Sequence, residues 1–311
     1  MVFNNVGLVI TDCCNARCEM CCSGREDARE RAVTLTPDDL NLVLAQVREC
    51  ADIEMIGVTG GEPMLRTDLV QQICDFDFGR KLTVSLKTNG FWGSDLVKAE
   101  EFIARNHAVL THISFSYDEF HRRYISLDSI KRIIDISQAY SVTTDVVGCF
   151  FADSTQPGDI LNELGEYAYK TKFVYQPVFR TGLASDFDEE RFVRLYEVGK
   201  NRLFCPAPRK GSLLITSRLD LYPCCSQVAQ NTILRIGNLR DKPLAELLKD
   251  MGHNKLLVKL FTEGLDGLLE AAGITKECPG KLSVPCEACE LLFADGRYLE
   301  RIHEALEREN Q

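Results

Sequence analysis

The chain has 311 residues, 45% of them hydrophobic and 26% charged, with a formal net charge of −10 and a pI of about 5.1. That length holds one large domain, or one large and one small, and the acidic balance disfavours non-specific nucleic-acid binding, which needs a basic footprint. No apolar run reaches a membrane span and no signal segment opens the sequence. Fourteen cysteines without an export signal therefore point to a reducing cytoplasm and not to a disulfide framework.

Strand-like apolar stretches are expected at Val6–Ile10, Ile53–Val58, Leu82–Leu86, Val109–Phe115, Val142–Phe151 and Lys172–Val178. Helical patterns separate them at Asp38–Cys50, Asp68–Phe76, Asp95–Arg105, Leu127–Tyr140 and Asp159–Tyr169. Thr36-Pro37-Asp38-Asp39 is a helix start, with a capping hydroxyl, Pro in the first turn and acids nearby. Alternating β and α units imply a parallel sheet, with chemistry at the C-terminal strand ends. Past Ala184 the pattern changes. Asp186–Lys200 reads as one more helix, cysteines return from Cys205 onward, further helices are expected near Pro243–Leu260 and Leu265–Ala272, and a charged helix over Gly296–Asn310 ends the chain.

Cys14, Cys18 and Cys21 follow the first strand with the spacing C-x3-C-x2-C. Three thiolates on one short loop hold three irons of a four-iron cube, and an ordinary cube takes four cysteines. One iron is then open to an outside ligand. Zinc sites pair their cysteines differently. Thr59-Gly60-Gly61-Glu62-Pro63 closes the second strand. Its glycines let backbone approach a ligand, and Glu62 can accept from an ammonium. Asn89 ends the third strand, and Ser114 and Ser116 end the fourth; each can bond a ligand at the mouth or simply serve its own turn. Asp118 and His121, three apart, suit proton or substrate work or a solvated helix start. Met20 reads as a core methionine.

A second set follows: Cys205, Cys224, Cys286 and Cys289. Four thiolates in one small unit suffice for a closed [4Fe–4S] cluster, and a four-cysteine zinc site is the alternative. Cys278 and Cys225 are spare thiols that could replace one of the four. Cys50 and Cys74 read as small buried hydrophobes.

The triplet followed by Gly60–Pro63 resembles the radical S-adenosylmethionine (SAM) superfamily. That resemblance implies a partial (β/α)6 TIM-like barrel over residues 1–200 and SAM chelated to the open iron of a [4Fe–4S] cluster. SAM is then split to a 5′-deoxyadenosyl radical that takes hydrogen from the substrate. It implies Met20 beside the adenine, Gly60, Gly61, Glu62 and Pro63 at the methionyl amino group, and Asn89, Ser114 and Ser116 at the carboxylate or ribose. Residues 201–311 resemble the small twitch domain, which binds one auxiliary cluster and here ends in a helix. One departure is Leu219, where related sequences usually carry Gly.

Several blocks resemble the peptidyl epimerases that make epipeptides: Cys14–Cys22, Thr88–Gly93, Ser116–His121, Tyr222–Ser226 and Cys286–Phe293. The resemblance implies a ribosomal precursor peptide as substrate, Cα hydrogen abstraction, and Cys225 as hydrogen-atom donor to the opposite face. A flavodoxin- or ferredoxin-like protein would supply electrons. A cross-linking peptide maturase, a small-molecule twitch dehydrogenase and a non-enzymatic zinc or iron–sulfur scaffold are the other readings. With 13 residues before Cys14, a peptide is expected to be read by the barrel mouth, the twitch unit or a separate partner.

Overall fold

The computed structural model describes residues 3–23, 31–205, 207, 211–294 and 296–308. Six strands alternate with helices: β1 (Asn5–Val9), α1 (Pro37–Arg48), β2 (Met55–Thr59), α2 (Thr67–Asp75), β3 (Thr83–Thr88), α3 (Leu96–Asn106), β4 (Leu110–Ser116), α4 (Leu127–Ala139), β5 (Thr143–Phe150), α5 (Pro157–Leu164) and β6 (Lys172–Pro177). Neighbouring strands from β1 to β6 pair in parallel, so the expected βα succession is the one observed. Helix α1 starts where its signals put it: Thr36 accepts from the Asp39 N–H, Pro37 opens the first turn, and Asp38 and Asp39 face the helix dipole.

The strands show why the fold is stable and still hollow. Val6 and Leu8, Ile56 and Val58, Val84 and Leu86, Ile113 and Phe115 point to the helices and are fully buried. The alternate residues, among them Gly57, Ser85, Lys87, His112, Ser114 and Asp145, are half-buried or exposed. Parallel sheets ordinarily bury both faces and read as continuous apolar runs. Here only the helix-facing side does, and the other side is a polar lumen. The pairings Lys87↔Ser114 and Ser114↔Asp145 place these three side chains in one layer.

The later chain adds β7 (Tyr196–Glu197), β8 (Ser212–Ile215), β9 (Asp220–Tyr222) and β10 (Gly237–Asn238). Helices α6 (Leu244–His253), α7 (Lys255–Thr262) and α8 (Gly264–Ala271) follow, then β11 (Lys281–Leu282), α9 (Pro285–Phe293) and α10 (Leu299–Arg308). Strand β8 pairs in parallel with β1, and β9 and β10 extend it antiparallel into one nine-stranded sheet. No described helix is long and apolar enough to cross a membrane.

Two expectations fail. Asp186–Lys200 is not a helix but two 3₁₀ turns, Gly182–Asp186 and Glu189–Arg191, followed by β7. Its residues are committed to distant partners instead. Phe192 packs edge-on against Phe151, β7 pairs with β11, and Arg194 reaches Glu287. The single helix expected near Pro243–Leu260 breaks at Asn254, whose side chain accepts from the Leu257 N–H and caps α7. The final helix ends at Arg308 as described; its expected extension to Asn310 lies outside the described residues.

Leu219 has φ +66°, in the left-handed region, and its side chain is fully buried. That region ordinarily favours glycine, so here a core leucine sits on a backbone conformation that a side chain strains. Both Leu219→Ala and Leu219→Gly lose that packing, at about 2–5 kcal/mol. The Gly variant should nevertheless be the more stable of the two by about 1 kcal/mol, the reverse of their order inside a helix or strand. Urea unfolding of the pair checks this.

Candidate active site

The C-terminal ends of β1, β2 and β3 are tied together by backbone and one carboxylate. The Gly61 N–H donates to Thr11 O (2.7 Å) and the Glu62 N–H to Cys13 O (2.8 Å). A Cβ on Gly60 would stand 2.5 Å from Thr11 O, and one on Gly61 2.3 Å from Cys13 O. The glycine pair is therefore required by the cysteine loop itself, which lies directly on it. Glu62 is 1% exposed. Its Oε1 accepts from Thr88 Oγ1 (2.7 Å) and Met64 N (2.9 Å), and its Oε2 from Asn89 N (2.7 Å). Burial pushes the carboxyl up to about 7 against these donors. Asn89 in turn donates to Asn15 Oδ1 inside the cysteine loop (2.7 Å). Pro63 is buried at the start of a 3₁₀ turn, Pro63–Arg66.

In that loop Cys14 Sγ accepts from the Ala16 N–H (3.4 Å). Desolvation pushes its thiol up to about 11, and the charges of Glu62, Cys18 and Cys21 add to the rise. Cys18 is buried among Ala16, Phe120, Phe151, Val178, Ala184 and Phe192, with Met20 and Cys21 packed against the same cluster. His121, which the sequence left between a catalytic and a solvated role, is half-buried and lies between Asp118 and Cys18. Its Nδ1 lies 2.8 Å from Asp118 Oδ1, and the Cys18 thiol is near enough to raise its basicity. Burial alone would lower its basicity, but Asp118 and then Cys18 raise it to about 10. Asp118 also accepts from the N–H groups of Phe120, His121 and Cys149.

The second set also gathers. Burial raises Cys205, Cys224, Cys286 and Cys289, to about 11 for Cys205 and about 12 for Cys286, except that for Cys224 the bond to Cys225 comes first. Cys286 feels Cys205, Cys225 and Cys22; Cys289 feels Cys286 and Cys205; Cys224 feels Cys225 and Cys289. The set is thus a mutual neighbourhood that reaches Cys22 on the first loop. Cys225 is exposed beside it. Cys278 lies in the main core, where burial and then Glu287 raise it to about 11. Among the described residues no three His, Cys, Asp or Glu groups converge on the point that one ion would occupy. A cube binds its thiolates to separate irons, so neighbouring, unconverged thiols suit it.

Two features escaped the sequence reading. Gln227 Nε2 donates to Gly60 O (3.1 Å) and Thr59 Oγ1 (3.3 Å), bringing the loop after Cys225 onto the end of β2. In the lumen, His112 Nε2 lies 3.2 Å from Asp145 Oδ2. Although burial opposes it, bonds from His112 and Ser114 and the Lys87 charge hold Asp145 below the usual carboxylate range. Ser116 ends β4 opposite Val147.

Residues 8–147 match the family model of the Radical SAM superfamily. The "Putative peptide biosynthesis protein YydG" of Bacillus subtilis (strain 168) is 23% identical over 319 residues, covering 99% of this chain and 98% of that protein. A "Probable GTP 3',8-cyclase" of Saccharolobus islandicus (strain L.S.2.15 / Lassen #1) is 28% identical over 128 residues, 41% of this chain and 40% of that protein. Among solved structures, native anSMEcpe with bound AdoMet aligns with a TM-score of 0.58 at 16% identity, over 97% of this chain and 99% of that one. BtrN in complex with AdoMet and 2-DOIA aligns at 0.52 and 13% identity, over 85% and 89%. At these identities the structures speak to the fold, which is the radical SAM (β/α) core. The matched family implies a [4Fe–4S] cluster and SAM.

Glu62 gives this site a pH signature in metal-free protein. Its folded value of about 7 lies above the usual 4.5, so the buried acid is tolerated when protonated and its contribution is lost as pH rises between the two. Relative to Glu62→Gln, the wild type should lose about 3 kcal/mol of stability from pH 4.5 to pH 8. Urea unfolding of both proteins at the two pH values measures the difference.

Proposed function

We propose that this chain, a radical SAM enzyme, epimerises residues of a ribosomal precursor peptide from L to D, with Cys225 returning the hydrogen atom. The observation that carries the reading is Gln227: it joins the loop of Cys224 and Cys225 to the carbonyl of Gly60, so an exposed thiol stands by the same strand end as the first cysteine loop. Support also comes from the similarity to YydG over 99% of this chain, named for peptide biosynthesis, and from a form of anSMEcpe solved with AdoMet and a peptide.

In this reading Cys14, Cys18 and Cys21 hold the first cluster, and Cys205, Cys224, Cys286 and Cys289 hold a second, in a twitch-like unit over 201–311. Bound cluster and SAM supply an electron and a carbon radical able to take a Cα hydrogen. Glu62 has three of roughly four lone-pair directions filled, which leaves one for the methionyl ammonium. Met20, Gly60, Gly61, Pro63, Asn89, Ser114 and Ser116 line the remainder of the SAM site. The Cα radical is planar, so the face that receives the second hydrogen fixes the configuration. Cys225 breaks its S–H bond as the new Cα–H bond forms. Its sulfur is then restored by one electron from a flavodoxin- or ferredoxin-like donor and a proton from solvent.

A thiol proton exchanges with water, so turnover in deuterated water should place one deuterium at Cα at unchanged covalent structure. Cys225→Ala and Cys225→Ser should cleave SAM yet give no D-residue. An Ala variant with two clusters and normal D-product rules out this donor; a product lighter by two hydrogens supports a cross-linking maturase instead. Replacing Cys14, Cys18 and Cys21 together by Ala should abolish 5′-deoxyadenosine formation and remove about four irons per chain.

A further inference from the structure

We propose that residues 180–194 form a strap that fixes the second cysteine set against the first cysteine loop, with the Glu287 carboxylate as its positioning residue. The proposal rests on the reading that both sets hold clusters. One end of the strap lies on the first loop. The Leu183 N–H donates to Cys21 O (3.0 Å), and Gly182, at φ +58°, comes so close that a Cβ would stand 2.5 Å from Cys21 O and 2.8 Å from Cys22 O. Ala184 and Phe192 pack in the apolar cluster that buries Cys18 and receives Cys21.

The other end grips α9, the helix of Cys286 and Cys289. Glu287 Oε1 accepts from the Arg180 N–H (2.7 Å), and Oε2 accepts from Arg194 Nη1 (2.9 Å) and the Ser283 N–H (3.0 Å). The Glu287 and Arg194 side chains are 7% and 13% exposed, so this is a buried, charge-assisted junction. Glu189 closes the strap on itself by pairing with both Arg180 and Arg194. Beyond it, the Leu195 N–H donates to Leu282 O (2.9 Å), and β7 pairs with β11.

Glu287 lies between two cysteines, yet among the described residues its carboxylate bonds run to the strap or to the start of its own helix and not to sulfur. Its role is therefore to hold the helix in place relative to the barrel. Radical chemistry depends on that placement, because a misplacement of about 1 Å costs on the order of 100-fold in a positioned reaction.

The test uses anaerobically reconstituted holoenzyme, wild type against Glu287→Gln. Three quantities are read: iron per chain, magnetic coupling between the two reduced clusters, and 5′-deoxyadenosine formed per D-residue. The expected result is unchanged iron, weaker coupling, and about tenfold more 5′-deoxyadenosine per D-residue. A change in iron alone is what a merely structural role would give; unchanged coupling and unchanged ratio at full iron overturn the proposal. If the Gln variant loses iron, Glu287→Asp, which keeps the charge and shortens the reach, is read in the same way. A wild type with two coupled clusters but no D-product rejects the epimerase reading, and the coupling still decides the strap. If the wild type holds no second cluster, a short bis-alkylating reagent, which forms a thioether with each thiol as its halides leave, that links Cys22 to Cys286 in wild type, and fails to in Glu287→Gln, supports the strap; equal linking overturns it.

Discussion

The Glu62 carboxylate is the knot on which the mouth of the barrel depends. Its backbone N–H holds Cys13 after β1, and its side chain holds Thr88 and Asn89 at the end of β3. It thereby joins three consecutive strand ends at the place where parallel barrels put their chemistry. An ionised carboxylate with no water around it is costly, and three donors offset that cost only in part, as its raised proton affinity records. The carboxylate holds Asn89 through its N–H, and the Asn89 side chain in turn holds Asn15 in the cysteine loop. The glycines before Glu62 follow from the contact with that loop: with Thr11 O and Cys13 O at 2.5 and 2.3 Å from where side chains would begin, only glycine fits.

A second consequence concerns redox chemistry. In the proposed reading Cys18 is a cluster ligand, and His121, with the buried Asp118 behind it, lies beside that thiol. Polar groups around cluster sulfurs are one of the means by which a protein sets a cluster's potential. Asp118 is itself held by the Cys149 N–H at the end of β5, so the orientation of His121 is inherited from the sheet and not from a loose loop.

Much of this architecture was legible in the residues. The βα alternation shows because outward-facing Val, Leu and Ile recur with strand periodicity, and the first cysteine triplet stands out because its spacing is local. What was not legible depends on contacts across long stretches of chain. Glu287 meets the Arg180 N–H 107 residues away, and Gln227 meets Gly60 167 residues away; neither residue type announces such a partner. The segment 186–200 misleads because its charged and apolar residues have helical spacing, while tertiary pairing with Phe151, Leu282 and Glu287 takes those side chains in other directions. Leu219 gave a signal without its meaning. A missing glycine suggested a weakened family match, whereas the backbone keeps the left-handed turn and places leucine in it.

The hollow sheet makes the last connection. A barrel packed with side chains leaves no room for a substrate, and a nonpolar lumen would exclude the charged ends of SAM and the amides of a peptide. Here the inner face carries Lys87, Ser114 and Asp145 in one layer, with His112 bound to Asp145. Half-buried thiols at Cys22 and Cys149 sense the Lys87 charge. The lumen is therefore polar low in the barrel and rich in sulfur toward its mouth. Stability comes from the helix-facing side of each strand, which leaves the inner side at liberty to be chosen for chemistry. This division explains how the sheet can hold its register while one face stays polar: the register is fixed by the outward residues, and a change on the inner face alters the site without moving the strands.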